Sequence, residues 1–324
     1  MDVTKKKPRF EAKSASEALL PQPPIDWIYK NLAGSGSVVL MHGEAGSKKT
    51  YVTYYMLACA SRGMPFLQFE TKKTKCLIID EESGNTRLLR RLGEILRGAM
   101  IEDPSNIDYI SLEQLKLDNT SDVIDLINFI SINEYEVILI DALSDVMDGD
   151  ENSKEHVQPV FNNLRKIAEE TGSLIIMIHH SNKLGGYRGS SAIKGSVDLM
   201  LEITSSNGSD IIKFKSQKER DIEQITFTAK AIWEDDKFYL QPLNFDDQVN
   251  ILSDAEQHVI ETLEQYGELF INEIEAKGKA SDFTGASMRT AIKKLVKDRL
   301  IIRTNDGGRG KPAKYGITPK KDGN

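Results

Sequence analysis

Four short, continuously apolar segments alternate with helical patterns, and this alternation constrains the fold more than any other feature of the sequence. The segments are SVVLMHG, KCLIID, EVILID and SLIIMIHH. Unbroken apolar strands that alternate with helices are typical of a parallel sheet covered on both faces. An antiparallel edge to this sheet is indicated by four later segments, DLMLEIT, DIIKFKSQK, ITFTAKAIWE and KFYLQPL. The sequence therefore predicts an α/β fold with a doubly wound, mainly parallel sheet.

Changes in composition divide the chain into three parts. Residues 1–22 contain the run KKK and few large apolar residues, and they lead into PQPP at residues 21–24, which indicates a flexible arm. Residues 23–245 hold the strand–helix alternation, and IDWIYKNL near their start is compatible with a short helix. After the polar stretch NFDDQVN, residues 251–318 show three helical patterns and two strand patterns around the turn NDGGRG. This order predicts a small winged helix-turn-helix domain.

The composition predicts a cytoplasmic protein that does not associate with a membrane. Among the 324 residues, no apolar run approaches the roughly 18 residues that span a bilayer. The start, MDVTKKKPRF, lacks the apolar core of a secretory signal. The two cysteines, Cys59 and Cys76, make neither a metal cluster nor a disulfide framework, which fits a reducing compartment.

The charge is unevenly distributed, so the net charge of −7 does not exclude a nucleic-acid partner. Between Ser287 and Lys321, eleven basic residues stand against two acidic ones. In the third predicted helix Ala291, Leu295 and Leu300 would point inward, which leaves the basic residues outward. The candidate DNA-binding residues here are Arg289, Lys293, Lys294, Lys297, Arg309, Lys311 and Lys314. Protein binding and a merely solvated basic face are the alternatives.

The segment GEAGSKKT matches the phosphate-binding pattern G-x-x-x-x-G-K-[ST], except that Lys48 stands where glycine is expected. In such a loop backbone N–H groups and a lysine bind the phosphates, and the following hydroxyl binds Mg²⁺. Here these roles fall to Lys49 and Thr50; a basic helix start is the alternative. We expect Lys48 to have a helical backbone, and its side chain to face solvent or the phosphates. The candidate ATP-binding residues are Gly43, Glu44, Ala45, Gly46, Ser47, Lys48, Lys49 and Thr50.

A phosphate loop needs a second carboxylate near the metal, and Asp141 at the end of EVILID can supply it. Thr50 and Asp141 are therefore the candidate Mg²⁺ ligands, although a strand can also end in aspartate for capping. The next residue, Ala142, cannot activate water. The sequence KCLIIDEES offers other carboxylates at the end of a neighbouring strand, including Glu81 and Glu82. A solvated acidic helix start is the alternative; it suits Glu81 but does not explain three consecutive acids after a buried strand.

The order of these motifs resembles the RecA-like ATPases, and most closely the hexameric plasmid replicative helicases of the RepA type. The resemblance covers about residues 23–240 and includes the strand ending in HH that is followed by RGSSAIKG. It implies that Glu82, or in another register Glu81, orients the attacking water. It also implies that His180, or less readily His179, senses the γ-phosphate.

The same resemblance implies a ring of subunits, expected to be a hexamer. The loop from Ser181 to Ser190, with Lys183 and Arg188, would then face single-stranded DNA in the central channel. The K-x-R pair of FKSQKERD, Lys218 and Arg220, would reach into the neighbouring subunit's nucleotide site. A plain mobile loop and a charged strand end are the alternative interpretations.

Three functions fit these patterns. The first is an ATP-driven DNA motor, a helicase or translocase that hydrolyses ATP with Mg²⁺ between the subunits of a ring. The second is a DNA-binding regulator or scaffold whose ATPase domain is a slow nucleotide switch, which the unusual Lys48 keeps open. The third is a recombination mediator that forms filaments on DNA.

Overall fold

The computed structural model describes residues 14–180, 191–205, 209–243, 252–298, 300–305 and 312–318. Its strands are β1 (Trp27–Tyr29), β2 (Ala33–Gly34), β3 (Val38–Gly43), β4 (Cys76–Asp80), β5 (Ile107–Ser111), β6 (Val137–Asp141), β7 (Leu174–His180), β8 (Leu199–Thr204), β9 (Ile211–Glu219), β10 (Thr226–Glu234), β11 (Lys237–Pro242), β12 (Leu269–Phe270), β13 (Ile301–Asn305) and β14 (Lys314–Ile317).

The helices begin with a short 3₁₀ helix at Ala15–Leu19. The α-helices are α1 (Lys49–Arg62), α2 (Asn85–Gly98), α3 (Thr120–Asn133), α4 (Lys154–Thr171), α5 (Ser191–Ser196), α6 (Asp254–Tyr266), α7 (Ile271–Ala280) and α8 (Gly285–Lys297). Over the ranges given above, none of these helices combines the length and apolar character that a membrane crossing requires.

One sheet dominates the fold, with the strand order β11-β10-β9-β8-β3-β7-β6-β4-β5 in the described part of the chain. The pairs from β8 across to β5 are parallel. Strands β9, β10 and β11 continue the sheet as an antiparallel edge. This arrangement confirms the predicted mixed sheet. It also brings the carboxyl ends of β3, β4, β6 and β7 to one edge, where open α/β sheets bind ligands.

Helices cover both faces of the sheet, as the alternation of side chains along β3 demonstrates. Val39 and Met41 pack in a core with α1 and α2, whereas Val38 and Leu40 pack in a second core with α3 and α4. Because successive strand residues point to opposite faces, a strand buried on both sides must be apolar throughout. The continuous apolar runs of the sequence therefore reflect this doubly covered sheet.

The prediction of a short helix in IDWIYKNL was wrong, because Trp27–Tyr29 is strand β1 and pairs with β2. Its backbone also bonds to the chain that follows α1: the N–H of Lys30 donates to the carbonyl of Glu70 at 2.9 Å. The Tyr29 hydroxyl donates to the carbonyl of Met56 at 2.9 Å. These distant partners, rather than local propensity, select the extended backbone.

Residues 252–318 form a separate cluster of three helices and a small sheet. Helices α6, α7 and α8 pack around their own core with the antiparallel strands in the order β12-β14-β13. Ala291, Leu295 and Leu300 are buried, as predicted. The two strands expected around NDGGRG pair as β13 and β14, while β12 was not predicted. Residues 306–311, which include all of the turn except Asn305, lie outside the described residues.

Candidate nucleotide site

The loop Gly43–Thr50 connects strand β3 directly to helix α1 at the carboxyl edge of the sheet. Two of its positions require glycine. A Cβ on Gly43 would lie 2.2 Å from the carbonyl oxygen of Ile203, so no side chain fits there. Gly46 has a φ of 83°, a left-handed conformation that other residues adopt at a cost. The sequence thus builds a tight strand-to-helix turn, which aims the N-terminus of α1 at the site.

Lys48 does not have the helical backbone expected of it. Its φ of 68° and ψ of 21° are left-handed, which explains why the motif prefers glycine at this position. Its ammonium group is bound within the chain: Nζ donates to Ser205 Oγ at 3.0 Å and to the carbonyl of Ser209 at 2.8 Å. Lys48 therefore ties the loop to the connection between β8 and β9.

Replacing Lys48 by alanine should destabilise the protein by about 1 kcal/mol more than replacing it by glycine. Both variants lose the bonds to Ser205 and Ser209, but only alanine keeps the steric conflict of a left-handed Cβ. Urea unfolding of the two variants measures this difference. We further expect Lys48→Gly to retain nucleotide binding. Equal stability of the two variants would show that the backbone at Lys48 is not left-handed.

Lys49 is enclosed by the loop and is only 4% exposed. Its Nζ donates to the carbonyls of Gly43 at 2.8 Å and Glu44 at 2.9 Å. Burial lowers the pKa of Lys49 to about 8, against the opposing effect of the Asp141 and Glu82 charges. The group is therefore still mainly protonated at neutral pH and presents a positive charge inside the loop.

Thr50 and Asp141 are in direct contact, as the sequence predicts: Thr50 Oγ1 donates to Asp141 Oδ2 at 2.9 Å. Burial, and then the charge of Glu82, raises the pKa of Asp141 to about 7. Among the described residues, no donor reaches Asp141 Oδ1, which is also buried. A buried carboxylate oxygen without a partner beside a threonine hydroxyl suits a hard divalent cation. These two residues therefore fit Mg²⁺.

Glu82 and His180 form the other side of the site. The Nε2 atom of His180 lies 3.1 Å from Glu82 Oε2, and this hydrogen bond lowers the pKa of Glu82. Ligand atoms of Glu82, Asp141 and His180 all lie within 4.8 Å of one another. Parallel pairing places His180 opposite Gly43. The structure thus brings together an acid, an imidazole and the phosphate loop.

The alternative residues Glu81 and His179 point elsewhere. The carboxylate of Glu81 accepts backbone N–H bonds from Glu113, Gln114 and Leu115, so it holds the loop after β5. His179 is buried, and its Nε2 lies 3.5 Å from Glu151. Alternation along β7 explains why His179 and His180 face different sides, whereas Glu81 lies just beyond the end of β4 and is held by its bonds to the loop after β5.

The sequence reasoning missed three residues that line the same cavity of about 320 Å³. Tyr51 follows Thr50 in α1, Arg91 comes from α2, and Trp233 comes from the end of β10. Arg91 donates to Ser83 Oγ at 2.8 Å. Tyr51 could have been found from its place next to the motif. No local signal marks Arg91 or Trp233, since tertiary folding alone brings them to the loop.

Lys218 and Arg220 lie at the opposite edge of the sheet. Strand β9 is antiparallel to β8, and Glu219 pairs with Leu199, which pairs with Val39 at the start of β3. The four residue steps from Val39 to Gly43 span about 13 Å, too far for Arg220 to reach the phosphate loop of its own chain.

Both cations make contacts within the chain. Lys218 Nζ and Arg220 Nη2 donate to the carbonyl of Gly195, at 3.2 and 3.1 Å. Arg220 Nη1 also donates to Asp198 Oδ1 at 2.7 Å, and Arg165 binds the same carboxylate. The two residues are therefore held together against helix α5 and the start of β8.

The candidate DNA-binding residues divide into paired, exposed and undescribed groups. Ion pairs within the C-terminal cluster join Arg289 to Glu275, Lys294 to Glu256 and Lys314 to Glu268. Contrary to expectation, Lys294 is therefore bound to a buried carboxylate rather than left available outward. Lys293 and Lys297 are exposed. Lys183, Arg188, Arg309 and Lys311 lie outside the described residues.

Comparison with known proteins identifies the class to which this site belongs. The AAA domain family matches residues 4–186, more than half of the chain, and the chain belongs to this family. A solved structure of an ATPase domain is 13% identical, with a TM-score of 0.50 over 65% of this chain and 86% of that one. This likeness is one of fold, and it supports the RecA-like arrangement. No curated protein matches the sequence significantly.

Proposed function

We propose that the protein is an ATP-dependent DNA motor, a replicative-type helicase or translocase that assembles as a ring, expected to be a hexamer. The observation that carries this proposal is the meeting of Lys49, Thr50, Asp141, Glu82 and His180 at the carboxyl edge of the sheet. A phosphate loop, a metal-binding pair and a carboxylate for water are the parts that nucleotide hydrolysis requires.

Each residue has a specific role in this proposal. Lys49 binds the β- and γ-phosphates, while Thr50 and Asp141 hold Mg²⁺, which neutralises phosphate charge when bound. Glu82 is ionised at neutral pH, because its bond to His180 lowers its pKa, so it can accept a proton from the attacking water. His180 contacts both Glu82 and the phosphate region and can report the presence of the γ-phosphate.

Lys218 and Arg220 act on the neighbouring subunit's site in this proposal. Their position at the far edge of the sheet supports action between subunits, since they cannot reach their own loop. A guanidinium group supplied in this way stabilises the charge that develops on the transferring phosphoryl group.

The proposed domain division is an arm at residues 1–22, an ATPase domain at 23–245 and a winged helix at 251–318. Three helices with a three-stranded antiparallel sheet support the winged-helix assignment. The exposed Lys293 and Lys297 on α8 are then the main described DNA contacts, and phosphate contacts of this kind are sensitive to salt. Arg309 and Lys311 in the wing, with Lys183 and Arg188 in the channel loop, complete the proposed DNA-binding set.

The decisive experiment is steady-state ATP hydrolysis with and without single-stranded DNA, over a range of protein concentrations. A motor of this kind should be stimulated by DNA, and its rate per subunit should rise with concentration as shared sites assemble. Tight ATP binding without turnover in any condition would instead favour the second candidate, a DNA-binding regulator with a nucleotide switch. The left-handed Lys48, bonded to the β8–β9 connection, is the observation that supports that candidate.

Two inactive variants should restore each other's activity if the sites are shared. Lys49→Ala and Arg220→Ala should each lose hydrolysis by at least about 100-fold, and mixing them should recover part of the wild-type rate. In the mixture, the phosphate loop of an Arg220→Ala subunit is intact, and a neighbouring Lys49→Ala subunit supplies the intact Arg220. Because Arg165 still pairs with Asp198, the Arg220→Ala variant should fold.

The matched control is a mixture of Lys49→Ala with Glu82→Gln. Both of these residues belong to the same subunit's site, so no complete site can form and no activity should return. Full activity of Arg220→Ala by itself would contradict the shared-site arrangement.

A further inference from the structure

An aromatic wall adjoins the phosphate loop. The Trp233 ring packs edge-to-face against Tyr51, with 4.6 Å between ring centroids, and against Phe238 at the same distance. Trp233 is nevertheless 45% exposed, and it lines the cavity that contains Lys49 and Thr50. Part of a large apolar side chain is therefore packed, while another part faces the cavity.

The cavity extends from the phosphate loop to this wall. Its volume of about 320 Å³ lies within the range of small-ligand sites. Tyr51 directly follows Thr50, so the wall begins one residue beyond the proposed metal-binding hydroxyl. Arg91 adds a cation 6.0 Å from the Tyr51 ring centroid. A ligand that binds the loop with its phosphates would place its remaining part near these aromatic and cationic groups.

We propose that Trp233 and Tyr51 form the nucleobase subsite of this ATPase, with the base stacked on the exposed part of the Trp233 indole. The assignment rests on the proposed function, because it requires a nucleoside triphosphate on the loop Gly43–Thr50. Every nucleobase has a flat π-face, and stacking on an aromatic side chain is a strong, base-tolerant interaction. Arg91 contributes a donor that can meet acceptor atoms of the base or ribose.

The other occupant to consider for the exposed indole is a second copy of the chain. A nucleobase is favoured because Trp233 shares one cavity with the phosphate-binding residues rather than lying on a separate surface. The Tyr51 hydroxyl also donates to Glu94 of the same chain at 2.8 Å, so contacts within one chain hold the aromatic wall in place.

Intrinsic fluorescence can test the subsite, because the chain contains two tryptophans. The substitution Trp27→Phe lies outside the proposed catalytic machinery. It leaves Trp233 as the single tryptophan. Titration of this full-length variant with ATP should change the Trp233 emission, whereas inorganic tripolyphosphate, which lacks a base, should bind without that change. Emission that responds equally to ATP and tripolyphosphate would overturn the proposal.

Calorimetric titration of Trp233→Ala provides the second readout. The Kd for ATP should rise roughly tenfold, while the Kd for tripolyphosphate stays unchanged, and Trp233→Phe should keep most of the ATP affinity. If ATP binds the alanine variant as tightly as the wild type and is hydrolysed, the base subsite is wrong and the proposed function stands. If neither ATP nor tripolyphosphate binds the wild type, both proposals fail. If only the oligomeric state changes in Trp233→Ala, the indole belongs to a subunit interface instead.

Discussion

Replacing Lys49 with alanine should reduce ATP hydrolysis by at least about 100-fold, the loss typical when a charge-stabilising donor is removed from an active site. The Lys49 ammonium is held inside the loop by the carbonyls of Gly43 and Glu44. Burial lowers its pKa to about 8, which leaves it mainly charged at pH 7. Hydrolysis measured at saturating ATP and Mg²⁺ tests this expectation.

The matched control is the neighbouring lysine. Lys48→Gly removes the same charge one position earlier, yet it should keep most of the activity because the Lys48 ammonium binds Ser205 and Ser209. The DNA binding proposed for the C-terminal cluster should be the same in both variants as in the wild type. Full turnover by Lys49→Ala would disprove the site assignment, and equal losses in both variants would show that charge in the loop matters more than position.

The sequence predicted the parts of the site that depend on strand ends. Asp141 and His180 each end an apolar run, and parallel strands bring such ends to one edge whatever the details of packing. The contact between Thr50 and Asp141 followed from this rule. The family resemblance favoured Glu82 over Glu81, and the bonds of Glu81 to the loop after β5 agree with that choice.

The features that sequence reasoning missed depend on distant partners. The backbone of Lys48 is left-handed because the turn into α1 requires it, and its ammonium group is held by the β8–β9 connection. Trp233 lies 182 positions after Tyr51, and only the antiparallel edge of the sheet brings the two together. The pairing of Lys294 with a buried Glu256 likewise depends on how α6 and α8 pack. No local periodicity or sequence motif indicates any of these contacts.

Asp141→Asn should stabilise the protein by about 2 kcal/mol at pH 8 in metal-free buffer, while hydrolysis falls by at least about 100-fold. Burial and the nearby Glu82 charge raise the pKa of Asp141 to about 7, and an unfolded aspartate titrates near 3.9. Between about pH 4 and pH 7 the folded chain therefore binds more protons than the unfolded chain. The free energy of unfolding contributed by this group must then fall as pH rises through that window. Asparagine, which resembles the neutral acid, avoids this loss.

Urea unfolding at pH 5 and pH 8, with a chelator present, measures the predicted effect. The stability gain of Asp141→Asn should be large at pH 8 and small at pH 5. Asp198 is the matched control, since it is also buried but lies at the opposite edge of the sheet. Burial alone would raise its pKa, but hydrogen bonds from Arg165 and the Val38 N–H, with the Arg220 charge, lower it. Asp198→Asn should therefore destabilise the protein at both pH values.

A loss of stability in Asp141→Asn at pH 8 would mean that this carboxylate is satisfied within the chain and does not need a cation. The opposite result, greater stability with lost hydrolysis, is what a functional metal-binding carboxylate should give. Such a residue is kept at a cost to folding because the buried Oδ1 must remain open to Mg²⁺. Adding Mg²⁺ in the presence of ATP should then raise the Tm of the wild type by more than that of the variant, because an ionised carboxylate binds the metal more strongly than a neutral amide.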